Sequence, residues 1–499
     1  FLRDLGVDVG NLASSRINIY GNHFGQLPYA NSVERPTDLL LNAIQVNDGG
    51  DGVFGPGDHI LFYASGPHRW DLVNGRFAHT KHAYSDSACY FIGLDVDAPK
   101  RIAPAQLTSD PATVTVTTFN DRQFIERDLV NFLKSGRTWY GETYDLTTTY
   151  NYAFDTPFLV SNEQACVKVD VAARTLMTGG MTNSSTFSIV SGSGLNGTLA
   201  VTSVSGSYTG AYARSGQQEY CWNAAGNSVP LVVTFNKFDP VSSIGWMNWL
   251  ELNCVRELRF TGDQLGFRHL ASVGAGQVAE YQLGFAGQVS RIWEVTDPTD
   301  VRDVAFTTNG STKLFRAAAD SLREFIAFRD ANFVTPTKVG RVPNQDLHAT
   351  ALPTDLVIVS PPEYWSALQP LVDRRQSEGL AVRVVSPQQV YNEFSSGTRD
   401  ATAIKRYMRL LYDRAGADPA LLPRYLLLFG DGSYNNLSWA PSNQNLIPSY
   451  QTENSLDPGK SYTSDDYFGL LDANESEVPG DMVDIGIGRI PVSTTQMAR

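Results

Sequence analysis

The sequence predicts a multidomain protein: two N-terminal all-β domains, the second sandwich-like, followed by an α/β unit. Three observations carry this reading. Short alternating or apolar runs separated by Gly, Ser and Asn turns fill residues 1–345. From residue 355 the pattern changes to strand–helix repeats, which imply a parallel sheet with right-handed crossovers. Tyr425–Phe429 is wholly apolar, as expected of a strand buried on both faces of such a sheet.

In the first domain, residues 1–145, the stretch 16–20 alternates, and 59–63 and 90–94 are short apolar strands between glycine-rich turns. Residues 122–133 read as an amphipathic helix, with Phe124, Leu129 and Phe132 near helical spacing. From 146 to 345 the pattern is β throughout, as at 186–190 and 198–204, and suggests one antiparallel sandwich. Residues 335–354 are polar, contain prolines and lack periodicity, so they read as a connector.

The α/β unit spans 353–499. Residues 355–359 and 380–385 are strands, and 363–377 are helical with a break or kink expected at Pro370. Asp400 is placed to cap a helix whose Ile404, Tyr407, Met408 and Leu411 form one apolar stripe, with Gly416 as its stop.

A length of 499 residues suits about three domains, each large enough to bury a core. Charged residues make up 18% and aromatics 11%, a balance that favours β-rich extracellular domains. A net charge of −13 with no Lys/Arg tract argues against nucleic acid as a partner. No apolar run approaches the roughly 18 residues of a membrane span. The chain starts at Phe1 with no signal-peptide core, which fits an exported protein whose leader is missing.

Cys89, Cys166, Cys221 and Cys254 are far apart and form no CxxC. They read as buried small hydrophobes, with a disulfide among Cys166, Cys221 and Cys254 as the alternative for an exported protein. Cys254 shares a period-2 face with Trp246, Leu250, Leu252, Leu258 and Phe260, a core position on a long strand. No histidine motif accompanies any of the four, so a catalytic thiolate is not indicated.

Several motifs carry little. Residues 192–197 match G-x-G-x-x-G but lead into a strand, so they form a hairpin loop and not a dinucleotide fingerprint. Residues 47–58 faintly resemble a calcium loop, with Asn47, Asp51 and Asp58 at ligand positions. The third position is Gly49 and the last ligand is a short Asp, so a turn with solvated carboxylates is preferred. His79 and His82 lack a third zinc ligand, and neither HExxH nor G-x-S-x-G occurs.

The apolar strand Tyr425–Phe429 ends on Gly430-Asp431-Gly432, which leaves a carboxylate at the sheet edge where ligands collect in α/β folds. Asp465 and Asp466 precede another apolar run. Asp431, Asp465 and Asp466 are therefore candidates for organising this edge, either by holding calcium or by capping loops.

The order of 430–436 (GDGSYNN), 464–472 (SDDYFGLLD) and 484–492 (DIGIGRIPV) resembles the first half of the gingipain-type (family C25) cysteine peptidase domain. Upstream, 135–142, 246–260, 292–299, 387–398 and 401–405 extend the resemblance to the sortase-like branch of that family along nearly the whole chain. The resemblance implies a caspase/gingipain-like sheet and a Cys–His pair that forms an acyl-enzyme, which an amine can resolve in place of water. It implies secreted cargo with C-terminal sorting domains, a PorV-like outer-membrane barrel of the type IX secretion system and surface lipopolysaccharide as partners. It places the protein at the cell surface, associated with the outer membrane. No cofactor is implied, and calcium is the one candidate structural ion. The family's His turn and Cys are expected beyond the 484–492 strand. Neither motif occurs up to Arg499, so no catalytic residue is assigned within the chain, which is expected to be an inactive portion of a peptidase. The alternative function is a non-catalytic β module that docks cargo or a membrane partner.

Overall fold

The computed structural model describes residues 2–192, 194–437, 443–477 and 481–499. An N-terminal β unit comes first. It has a small sheet ordered Leu41–Asn42, Ile17–Tyr20, Phe91–Leu94 and two hairpins, Ile44–Asn47 with His59–Phe62 and Arg69–Val73 with Arg76–Thr80.

A sandwich follows. One sheet runs in the order Thr118–Glu126, Ile244–Glu257, Gln164–Arg174, Arg214–Asn223, and the facing sheet runs Thr149–Asp155, Ser228–Asn236, Ser184–Ser191, Leu195–Thr202. The inward residues of both, among them Val167, Val169, Phe187, Ile189, Leu231, Val233, Leu250 and Leu252, form one apolar core.

The single sandwich expected from 146 to 345 is in fact two. Its second half forms a separate pair of sheets around Phe267, Tyr281, Ile292, Phe315 and Phe325. Two of its strands come from before residue 145. Val114–Val116 pairs parallel with Val278–Leu283, and Ala103–Pro104 pairs parallel with Arg302–Asp303. The pairing therefore crosses the expected boundary near 145. These edge strands of two or three residues are too short to show a period of their own.

The helix expected over 122–133 is replaced by the strand Thr118–Glu126, paired along its length from Thr118↔Glu257 to Glu126↔Trp249. Its outer face lies under the Arg69–Thr80 hairpin, where Phe124 stacks on His79 and Arg122 lies over Phe77 and Trp70. A cationic residue on an aromatic-covered face hides the period-2 signal.

The period-2 face assigned to Cys254 also divides. Leu250, Leu252 and Cys254 enter the sandwich core, Leu258 and Phe260 enter the second sandwich, and Trp246 packs with Tyr140, Ala172 and Leu456. The cause is a bulge. Asp170 pairs with Trp249 but Val171 pairs with Met247, so Asn248 is an extra residue and the faces exchange. Cys166 and Cys221 sit directly opposite on adjacent strands and form a disulfide, while Cys254 is buried and free.

The α/β unit has a parallel sheet ordered Val382–Val385, Leu356–Val359, Tyr425–Phe429, Gly486–Ile490. Helix α1 (Trp365–Ser377) continues through Pro370, whose missing N–H costs one helical bond. Helix α2 (Pro387–Phe394) opens with a reciprocal Ser386–Gln389 capping box. Helix α3 (Ala401–Ala415) is capped by Asp400 and ends at Gly416, and Ile404, Tyr407, Met408 and Leu411 are all buried, as the sequence predicts. Among the described residues no helix is long and apolar enough to cross a membrane.

Candidate functional site

The carboxyl edge of the parallel sheet is tied together by backbone and side-chain hydrogen bonds. The strand Tyr425–Phe429 leaves the sheet at Gly430, whose N–H donates to Ile490 O at 3.0 Å. Asp431 N–H then donates to Val492 O at 2.9 Å. The carbonyl of Asp431 accepts from Leu446 and Ile447 N–H, both at 3.0 Å, which folds the 443–451 segment back over the edge. A Cβ at Gly432 would lie 2.9 Å from Ser449 Oγ and 3.1 Å from Ile447 O, so a side chain there would require the Ser449 hydroxyl to turn away and the 447 segment to shift.

Arg489, on the last strand, binds this edge together. Its Nε and Nη2 donate to Asp465 Oδ2 and Oδ1 at 2.7 and 2.8 Å. Its Nη1 donates to the carbonyls of Gly430 and Ile447 at 3.2 and 2.9 Å. A planar guanidinium can serve a carboxylate fork and two carbonyls at once, and a lysine cannot. Asn445 adds to the lattice by accepting from Ser433 N–H and donating to Asn436 Oδ1.

The three carboxylates singled out from sequence thus separate in role. Asp465 is the partner of Arg489. Asp431 contributes mainly its backbone, and among the described residues its side chain accepts from Gly432 N–H. Asp466 is exposed at the start of a 3-10 turn, Asp466–Gly469. Nothing in the sequence points to Arg489, because an arginine inside a G-I-G-R-I strand carries no signal of where its guanidinium ends.

The N-terminal units reach this edge through residues 135–140. Arg137 Nη1 donates to Glu477 Oε2 and to Gln451 O, both at 2.9 Å, and its guanidinium lies 4.4 Å from the Tyr29 ring centre. Thr138 Oγ1 donates to Glu453 O, and Trp139 stacks flat on Tyr434 of the GDGSYNN loop, centroids 5.8 Å apart. Gly136, at φ +79°, has no room for a side chain, since a Cβ would collide with Asn454 O.

A second tie lies at the start of α3. Asp400 is fully buried, and its Oδ1 accepts from Thr402 N–H while its Oδ2 accepts from Leu27 N–H, both at 2.8 Å. One carboxylate therefore caps the helix and anchors the N-terminal β unit. Burial pushes its pKa up to about 6 despite those bonds. His82 Nε2 stands 3.8 Å from Asp400 Oδ2, and burial holds this histidine down at about 3, so it is neutral. His79 is likewise lowered to about 3 by burial, stacked on Phe124. His68 touches both histidines, its ring 5.7 Å from that of His79 and its Nδ1 accepting from His82 N–H at 3.1 Å.

Asn47, Asp51 and Asp58 each bond within their own hairpin and loop. Asn47 bonds Gln45 and His59, Asp51 accepts from Val53 N–H, and Asp58 accepts from Gly55 N–H. Among the described residues two ligand-type clusters form. One is Cys166, Glu219 and Cys221, whose sulfurs are joined to each other. The other is Asp346, His348 and Glu393, in which His348 uses Nδ1 on Glu393 and Nε2 on Thr37 O, both at 2.7 Å. Burial pushes the thiols of Cys89 and Cys254 up, and among the described residues neither bonds a histidine.

The fold and this edge define a multidomain β protein with a C-terminal α/β unit built on a parallel sheet. Residues 349–499 match the model of peptidase family C25. The crystal structure of dimeric latent PorU from Porphyromonas gingivalis is similar over 97% of this chain, with a TM-score of 0.80 and 26% identity. The chain is a PorU-like protein with a C25 peptidase region, and it spans 46% of the length of that PorU chain. A structure titled "Structure of Protease" aligns with a TM-score of 0.20 and 18% identity over 30% of this chain and 26% of its own. An infectious bursal disease virus structure (Gx strain) aligns at 0.16 and 10% over 74% and 69%. Both likenesses are too slight to define a shared fold. No curated protein matches the chain.

Proposed function

We propose that this chain supplies the β domains and the first part of the peptidase sheet of a sortase-like C25 cysteine peptidase. In this reading the enzyme removes C-terminal sorting domains from type IX secreted cargo and transfers the cargo to surface lipopolysaccharide. The PorU-like fold over 97% of the chain is the observation that supports it. The chemistry is attack of a cysteine thiolate on the scissile carbonyl, proton handling by a histidine, and release of the acyl-enzyme to an amine. None of the four cysteines here is assigned that role. The part played by this chain is to hold the sheet edge through Arg489 and Asp465 and to fix it against the β units through residues 135–140. The protein is placed at the cell surface, beside a PorV-like outer-membrane barrel.

The test uses the full-length protein and cargo bearing a sorting domain. Release of the domain together with an amine-linked cargo product is expected. Tight binding of cargo without cleavage would overturn the peptidase reading in favour of a docking module.

A further inference from the structure

We propose that Asp346, His348 and Glu393 form a binding site for Zn²⁺ where the connector enters the α/β unit. One ligand-type atom of each side chain lies within 4.8 Å of the other two. Asp346 and His348 precede the strand Leu356–Val359, and Glu393 lies in the last turn of α2.

The imidazole is oriented as that of a metal-bound histidine usually is. His348 Nε2 lies 2.7 Å from Thr37 O, a bond it makes only by donating, because a carbonyl oxygen has no proton to give. Metal-bound histidines commonly donate the second ring N–H in this way, which fixes the tautomer and aims the other nitrogen at the ion. Here that nitrogen, Nδ1, faces Glu393 Oε2 at 2.7 Å. With both ring nitrogens against oxygen acceptors, the ring carries either two protons or one proton and a cation. Phe394 stacks on the ring, centroids 4.7 Å apart, and holds its plane.

Glu393 is fixed just as firmly. Its two oxygens accept from Leu347 N–H at 2.8 Å each, from His348 N–H at 3.2 Å and from Gln345 Nε2 at 2.7 Å. Such bonds hold a carboxylate ionised and in position, as a ligand's supporting groups do. Asp346 is exposed, with Oδ1 accepting from Ala349 N–H, so solvent reaches the site from its side.

The donor set selects the ion. One imidazole with two carboxylates suits Zn²⁺, whereas Ca²⁺ and Mg²⁺ prefer oxygen alone. Two carboxylates and a neutral imidazole balance a divalent charge, and Asp38 acts on the ring as a further negative charge. Arg414 Nη1 is directed onto the carbonyls of His348 and Thr350. Tetrahedral ligands at about 2.0–2.1 Å from Zn²⁺ stand about 3.3 Å apart, so Nδ1 and Oε2 need to open by only about 0.6 Å when the ion replaces the proton between them. A bound ion would join the connector to α2 and, through Thr37, steady the N-terminal β unit against both.

The experiment is calorimetric titration of this chain, stripped with chelator and kept non-reduced, with ZnCl₂ and separately with CaCl₂. The Cys166–Cys221 disulfide then keeps the other ligand-type cluster closed. Uptake of one Zn²⁺ per chain is expected, about a hundredfold or more tighter than Ca²⁺. Asp346→Asn and His348→Gln should each weaken Zn²⁺ by about tenfold or more. His59→Gln, at an exposed histidine elsewhere, should bind like the parent. Melting curves without metal confirm that each variant is folded; should His348→Gln not fold, Asp346→Asn at its exposed position decides alone. The proposal is overturned if the parent takes up no stoichiometric Zn²⁺, if Ca²⁺ binds as tightly, or if either folded variant binds Zn²⁺ as the parent does.

Discussion

Arg489 grips Asp465 through two parallel hydrogen bonds while its third nitrogen holds the carbonyls of Gly430 and Ile447. Four segments of the sheet edge therefore depend on one guanidinium. Truncation removes bonds to a carboxylate and leaves two carbonyls without that donor. Arg489→Ala should cost about 2–4 kcal/mol of unfolding free energy, and Arg489→Lys a large part of it. Asp431→Ala should cost less than about 1 kcal/mol, because the edge uses the Asp431 backbone. Urea unfolding of the three variants checks the order. A larger loss for Asp431→Ala would show that its carboxylate has a role beyond the bond to Gly432.

At Gly136 the β units pack closely on the edge, against Asn454. The positive φ of Gly136 and the carbonyl of Asn454 both exclude a side chain. Gly136→Ala should destabilise by about 2 kcal/mol or more and release residues 135–140 from Tyr434. Trypsin cleavage after Arg137 should then accelerate. Unchanged protection at Arg137 would mean that the segment is held from elsewhere.

The His348–Glu393 pair makes the junction sensitive to pH. The bond to Glu393 holds His348 above its ordinary 6.5, so its contribution is complete below 6.5 and fades as pH rises through the raised value. Burial opposes ionisation of Glu393, but bonds from His348, Gln345 and the Leu347 N–H prevail and hold it below 4.5. Its contribution is therefore lost only as pH falls through that depressed value. The pair is strongest between 4.5 and 6.5. His348→Gln should lower stability by about 1 kcal/mol at pH 6 and much less at pH 8.5, read from melting temperatures. An equal loss at both pH values would refute an ionic role for His348.

These ties show where sequence reading stops. Asp400 was legible as a cap because its signal is local: a short acceptor before an apolar stripe that Gly416 closes. Its second bond, to Leu27, joins positions 373 apart and has no sequence signature. The strand Thr118–Glu126 was misread because Arg122 and Gln123 sit where alternation would show, and only the covering hairpin makes Arg122 compatible with that face. Asn248, the bulge residue, moved Trp246 off the face its spacing assigned. The parallel sheet was legible since its strands are apolar on both faces, whereas the Arg489–Asp465 pair required the fold itself.

The connector expected over 335–354 divides in the structure. Residues 333–344 are exposed and without strands, tied by Lys338 Nζ to Asp4 O, while from Gln345 onward the chain is bonded to α2 through Glu393. Limited digestion with proteinase K, which cuts with little sequence preference, should cut first within 333–344, leaving 345–354 intact. Early cutting within the first sandwich instead would contradict the exposure of this segment.

The last prediction concerns thiol chemistry. A cysteine peptidase needs a thiolate within reach of a base, and the chain's cysteines lack that setting. Cys166 and Cys221 are joined as a disulfide. Cys254 is buried in the sandwich core, and burial raises its pKa far above neutrality. Cys89 is half-buried with its thiol also raised by burial, and its carbonyl accepts from Ser396 Oγ in a packed junction. Residues 1–499 should therefore neither cleave nor transfer a sorting-domain substrate, and iodoacetamide should label Cys89 and Cys254 only slowly in the native state. The assay compares this chain with the full-length protein on the same cargo. Cleavage by residues 1–499 that vanishes on Cys89→Ala or Cys254→Ala would place the nucleophile inside this chain and overturn the scaffold role. Cleavage confined to the full-length protein, and weakened there by Arg489→Ala, would tie the sheet edge described here to the reaction.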